Sequence, residues 1–412
     1  MTGVIPKRTV FWLGITQLVS WGITYYLVGG FGELIAADLH WSEDVVYGGF
    51  SVALLVMGLF SPLAGRLVDR YGGRPVMAWG SVINAAGCAF IASSTSIPGY
   101  FMAWVVLGIG MRLTLYDAAF AALARLGGPN ARRPMAQITL LGGLASTLFW
   151  PLGHTLALEM GWRGAVWTYA LLALLVAPAH LAISGERYLA PALPVDEIES
   201  SPTVLGRSDT LLAAGAYTLI TALTNFLNAG MSAHMIAILI GLGASAASAV
   251  GISSLRGVGQ SAARFGEILF GRRMSPLTLN VWACGLLPIA FASGFYGGRF
   301  AGAASLFALA YGIGNGIATI TRGTMALVLF DHRTYGIFVG RLLAPSFVLS
   351  AIAPLIYAIV IGHFGETGAL LLSLGVSLVA LGAALELKRR VGEHTRSAAA
   401  KGATSDPRAS PP

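Results

Sequence analysis

Charge is scarce in this chain. Charged residues make up 11% of its 412 residues, where a soluble protein of this length carries about a quarter. A water-facing globular surface cannot be assembled from so few. Cysteine is nearly missing too: Cys88 and Cys284 are the only two, and both sit inside long apolar runs. That excludes a disulfide framework and a thiolate metal site, and both read as small buried apolar side chains. No Gly-x-x-x-x-Gly-Lys-Ser/Thr phosphate loop occurs, so ATP drive within the chain is unsupported. His154, His180 and His234 stand alone at no metal-ligating spacing. Neither a metal nor another cofactor is expected, and with no cluster of His, Asp or Cys the reading is not an enzyme.

Hydrophobic residues, at 56%, supply what charge does not, and 53 glycines accompany them. The apolar residues fall into runs of about 20, the length that crosses a bilayer. Glycine suits such helices, because small side chains let backbones approach where lipid removes the hydrophobic drive. The pattern predicts an all-α membrane protein of twelve spans, from 10–31 to 366–387, with the stretch 232–245 after the seventh span open to either assignment. The run Val10 to Gly30 lacks a small-residue cleavage site and reads as an uncleaved first helix. Ser42 before Glu43 and Asp44 predicts the cap of the second helix.

A net charge of +8 does not point to nucleic acid, because the basic residues form short clusters between apolar runs. Counting alternate loops, Lys7, Arg8, Arg66, Arg70, Arg74 and Arg125, with most later basic residues, collect on one side. Only Arg163 and Arg299 fall on the other. The positive-inside rule then places both termini in the cytoplasm of a bacterial inner membrane. Residues 186–208, rich in Pro, Ser and acidic side chains, read as a cytoplasmic linker between six-helix halves at 1–185 and 209–390. Residues 391–412 read as a disordered tail. The halves look duplicated: Gly108-Ile109-Gly110 recurs as Gly312-Ile313-Gly314, and Pro151 as Pro354, at near-equal offsets. A parallel repeat of this kind places a solute cavity between the halves.

The most distinctive stretch is Gly65-Arg66-Leu67-Val68-Asp69-Arg70-Tyr71-Gly72-Gly73-Arg74-Pro75, a charged turn between two apolar runs. It resembles the signature of the major facilitator superfamily between helices two and three, through Gly65, Asp69, Arg70, Gly72 and Arg74, with Gly73 in a slot usually basic. Gly161-Trp162-Arg163 is similar to the family's loop before helix six. Helix five is degenerate, with His154 and Thr155 where paired glycines belong. The segment His234 to Arg264 looks closest to bacterial members near the monocarboxylate carriers and to members linked with arsenite resistance. The resemblance implies a secondary transporter working by alternating access. It also implies a conformational latch at the signature, in which Gly65 lets helices approach and Asp69 faces the start of helix eleven near Thr334.

Ionisable residues within spans are expensive and therefore candidates for function. Arg112 and Asp117 share span four, about 140 degrees apart on a continuous helix, so either Arg112 bends to Asp117 or each has another partner. The functional reading gives Arg112 to the solute and Asp117, as a desolvated carboxylate, to proton coupling; the structural one gives a permanent pair with another helix. Arg256 and Arg322 are the other mid-membrane candidates, while Arg264 reads as a local ion pair with Glu267. Tyr25 and Asn225 complete the substrate candidates, from a set that includes Trp21, Tyr26, Asn228 and Trp150. Arginines outnumber carboxylates, which favours a small organic anion. Proton-coupled efflux of such an anion or of a toxic compound leads. Uptake of a monocarboxylate, arsenite efflux and, more remotely, a non-transporting sensor are the alternatives. Beyond solute, protons and lipid no partner is implied, and the chain is expected to act as a monomer.

Overall fold

The computed structural model of the chain describes residues 5–185, 207–270, 274–329 and 335–404. Among these every regular element is helical. The first half holds α1 (Lys7–Ser20), a π-helical turn (Trp21–Tyr25), α2 (Leu27–Leu39), α3 (Glu43–Tyr71), α4 (Gly73–Ser93), α5 (Ile97–Thr114), α6 (Tyr116–Gly127), α7 (Arg132–Gly143) and α8 (Ala145–Leu181). The second holds α9 (Arg207–Gly241), α10 (Ala246–Phe270), α11 (Pro276–Gly294), α12 (Ala301–Leu329) and α13 (Tyr335–Thr404).

Eight helical stretches are long and apolar enough to cross a membrane. Two of them contain a non-helical glycine, Gly161 in α8 and Gly365 in α13, where two helices meet. Each therefore holds two crossings. The pair α1 and α2, interrupted by the π turn, and α10, made more polar by Arg256, Gln260 and Arg264, are crossings that hydropathy alone passes over. The arrangement is consistent with twelve spans.

The repeated Gly-Ile-Gly does the same packing work in each half. A Cβ on Gly108 would lie 2.6 Å from the Ala53 carbonyl of α3, and one on Gly312 would lie 2.2 Å from the Arg256 carbonyl of α10. Only glycine permits that backbone approach. One turn further along α12, Asn315 lies beside Asn228 of α9, its Nδ2 donating to the Asn228 Oδ1.

Several expectations need correction. The stretch 232–245, left open above, is helical as far as Gly241, where α9 ends. Ser42 does occupy the N-cap position of α3, with Glu43 and Asp44 in the first turn, but its side chain makes no capping bond. The last helix continues to Thr404 instead of giving way to a disordered tail at 391; Ala398, Ala399 and Ala400 are strong helix formers there. Gly65 does not mediate a close approach, because a Cβ on it would meet open space. Most of the linker, residues 186–206, lies outside the described residues, as does Thr334.

Candidate functional site

Between the halves lies a cavity of about 140 Å³. The first half gives it an aromatic wall: Trp21 and Tyr25 from the π turn, Tyr26 just after it, and Tyr116 at the start of α6. Trp21 stands 4.7 Å from Tyr25 and 4.8 Å from Tyr116, ring centroid to centroid. The extra residue per turn of a π helix brings these large side chains to one face. The second half gives a polar wall: Asn225 and Asn228 from α9, Gln260 and Arg264 from α10, Asn315 and Arg322 from α12.

Asn228 is the junction of the polar wall. Its Oδ1 accepts from Arg256 Nη2 at 2.7 Å and from Asn315 Nδ2 at 2.9 Å, and its Nδ2 donates to the Tyr25 hydroxyl of the other half at 3.3 Å. Behind it Arg256 is fully buried, donating also to Ser232 Oγ at 2.8 Å. The Arg256 guanidinium lies 5.4 Å from the Tyr26 ring and 5.2 Å from the Tyr311 ring, contacts that favour a cation. Its Nε and Nη1 have no partner among the described residues. Tyr26 is held in turn by Trp150, whose indole donates to the Tyr26 carbonyl at 3.2 Å.

Arg112 and Asp117 form an ion pair, and Arg112 also donates to Ser61 Oγ. The pairing across five positions arises because span four is not one continuous helix. Leu115 is extended at φ −76, ψ −172, between α5 and α6. Asp117 is about half exposed and lines the cavity, while Arg112 sits beneath it and is largely covered. Asp117 is therefore open to the cavity and charge-paired, not the desolvated carboxylate expected. Across the cavity, Arg322 Nη1 donates to Asn225 Oδ1 at 3.3 Å.

Of the predicted substrate set, Tyr25, Asn225 and Arg322 line one cavity with Asp117. Arg112 reaches it through Asp117, and Arg256 lies one residue behind it. Arg264 corrects its own expectation: instead of pairing with Glu267 it crosses to the first half, donating to the Thr139 carbonyl and to the Tyr116 hydroxyl. Its spacing to Glu267 suggested a local pair, and only the contact of α10 with α7 reveals the longer reach. Gln260 and Asn315 were not among the substrate candidates, although the amides Asn225 and Asn228 were; nothing in the local sequence marks which amides face the cavity.

The signature turn stands away from the cavity. Arg125 of α6 donates to the Val68 carbonyl at 2.8 Å and to the Asp69 carbonyl. Gly72 has φ +86, in the region glycine favours. Gly73 explains its departure from the usual basic residue, since a Cβ there would come within 2.2 Å of Ala122 Cβ. Asp69, Arg70 and Arg74 are exposed. At the opposite end Asp38 accepts from Trp162 Nε1 at 3.1 Å and pairs with Arg163, which hold its carboxyl below the usual carboxylate range, the Arg163 bond contributing most. The halves also touch at that end, where the Tyr47 ring lies 3.9 Å from the His234 ring.

Comparison with known proteins agrees with this architecture. A family profile described as Major Facilitator Superfamily matches residues 13–297. The Multidrug resistance protein MdtL of Escherichia coli O157:H7 is 34% identical over 194 residues, 45% of this chain and 47% of that protein. A copy from Shigella dysenteriae serotype 1 aligns over the same length at the same identity. The chain thus spans about half the length of the curated relatives it matches. Among solved structures, the nucleoside transporter NupG superposes with a TM-score of 0.66 at 15% identity, covering 92% of this chain and 98% of that one. The human organic anion transporter MFSD10 superposes with a TM-score of 0.62 at 19% identity, covering 92% and 99%. Such distant likenesses speak for the fold alone. With its profile match across most of its length, its paired helical halves and its signature turn, the chain belongs to the major facilitator superfamily.

Proposed function

We propose that this protein is a proton-coupled secondary transporter that exports a small organic anion across the cytoplasmic membrane. The carrying observation is the charge of the cavity. Arg264 and Arg322 line it and Arg256 is buried one residue behind, whereas its lining carboxylate, Asp117, is already paired with Arg112. Keeping a guanidinium such as Arg256 deep in a membrane protein costs several kcal/mol, on the order of 3. An anionic solute offsets that cost, and arginine's fork suits carboxylates and oxyanions.

Size supports the same reading. The cavity, at about 140 Å³, is well below the ~300–1,000 Å³ that encloses drug-sized ligands. The direction of transport rests on the matched relatives, which are named multidrug resistance proteins. For proton coupling, Asp117 exchanges Arg112 for a proton from the water it faces. The turn at Asp69, Arg70, Gly72 and Arg74 acts as a latch through Arg125, with both termini cytoplasmic and the monomer as the working unit.

The test is counterflow in proteoliposomes with matched panels of labelled small carboxylates and small amines. Carboxylates are expected to exchange, and Arg322→Gln is expected to slow them at least about tenfold, the weight of one charge-assisted bond. Exchange of amines but not carboxylates sinks the proposal.

A further inference from the structure

The two walls of the cavity differ in kind. The first half contributes Trp21, Tyr25, Tyr26 and Tyr116, with Trp21 in ring contact with each of the three tyrosines. The second half contributes amides and guanidinium groups together with the Phe347 ring, with Arg322 bound at the cavity surface through a 3.3 Å bond to Asn225. A solute filling this space meets π faces on one side and hydrogen-bond donors on the other. An aliphatic chain leaves the rings without a partner of matching shape. A flat ring with an anionic edge satisfies both walls at once, through offset or edge-to-face ring contacts on one side and a charge-assisted bond on the other.

An orphaned donor supports this. The indole Nε1 of Trp21 is buried and has no partner among the described residues, although the residue lines the cavity. A buried donor of this kind is normally satisfied, and a ring substituent with a lone pair satisfies it while the carboxylate faces the other wall. The fully buried Arg256, with two nitrogens that find no partner among the described residues, keeps the potential of the polar wall positive whichever way Arg322 turns.

We infer that the solute is an aromatic carboxylate of single-ring size, its ring against Trp21, Tyr25 and Tyr116 and its carboxylate toward Arg322 and Asn225. This rests on the anion reading above and adds to it the aromatic requirement. The volume agrees, since a cavity of about 140 Å³ lies well below the ~300–1,000 Å³ of drug-sized pockets.

Isothermal titration calorimetry of the purified full-length protein in nanodiscs separates the two layers of the argument. The probes are benzoate, cyclohexanecarboxylate and benzylamine, which share their size and differ in ring and charge. Benzoate is expected to bind about tenfold more tightly than cyclohexanecarboxylate, the worth of a good ring contact, with no heat from benzylamine. Trp21→Leu is expected to remove that tenfold preference, and Trp21→Phe to retain most of it. Equal binding of the two acids overturns the aromatic inference and leaves the anion reading standing. Binding of benzylamine alone, or of no probe, overturns both.

Discussion

At the residue scale the cavity divides labour between charges that touch the solute and charges that set the potential. Arg256 belongs to the second group, because Asn228 stands between it and the open space. Arg256→Gln removes the charge but keeps a donor for Asn228 and Ser232. Transport of the anion is expected to fall at least about tenfold, from loss of a favourable field in a low-dielectric site, while the folded fraction in detergent stays close to that of the parent protein. Wild-type transport rates in that variant would detach Arg256 from the solute. Asp117 makes the complementary prediction. Asp117→Asn cannot exchange Arg112 for a proton, so pH-driven accumulation is expected to vanish while solute exchange at equal pH persists; unchanged dependence on the pH gradient removes Asp117 from coupling. The charged members of this site were legible in the sequence because charges stand out against an apolar background. Their partners were not, because the break at Leu115 and the reach of Arg264 to Thr139 are properties of packing between segments far apart in the chain.

At the scale of the element, the helices are positioned by close backbone approaches and by ties at their ends. Gly312 sits with its α-carbon hydrogens against the Arg256 carbonyl, and a larger side chain there must push α12 from α10. Gly312→Val is expected to destabilise the fold by about 1–3 kcal/mol, the usual cost of overpacking. It should also disturb the Asn228–Asn315 bond that lines the cavity, so thermal unfolding and solute affinity are expected to move together. A loss of stability with unchanged affinity means that the α10–α12 contact does not shape the site. The Gly-Ile-Gly repeat was readable in the sequence as a likeness between halves; its role as the seat of a crossing helix needed coordinates. At the opposite end, Asp38 ties α2 to the second part of α8 through Trp162 and Arg163. Its carboxyl is held below the ordinary value, so this contribution is complete above the unfolded-state value and disappears as pH falls through the lower, folded one. Asp38→Asn is accordingly expected to flatten the acid limb of a melting-temperature profile and to leave its alkaline limb alone. A parallel downward shift at all pH values argues against a titrating role for this tie.

At the scale of the whole molecule, alternating access requires contacts between the halves that exist in one state and not in the other. The Tyr47 ring on His234 joins the halves at the end opposite the Arg70 turn, and within the second half His234 Nε2 lies 2.8 Å from the Pro354 carbonyl. The sequence shows two related halves and the turn that marks one face, because duplication and charge both leave a trace in residue order. It does not show which end is shut, since that depends on aromatic rings meeting across a seam and either half alone would carry the same residues. Tyr47→Cys combined with His234→Cys, the two joined by a reducible thiol-specific linker, is expected to hold that end closed. Cys88 and Cys284 are buried and free, so the background reaction is small. Counterflow is expected to stop on linking and to return on reduction, whereas each single variant transports before and after treatment. Transport that continues in the linked protein means the halves need not part at Tyr47 and His234, and the pathway then leaves the cavity by another route.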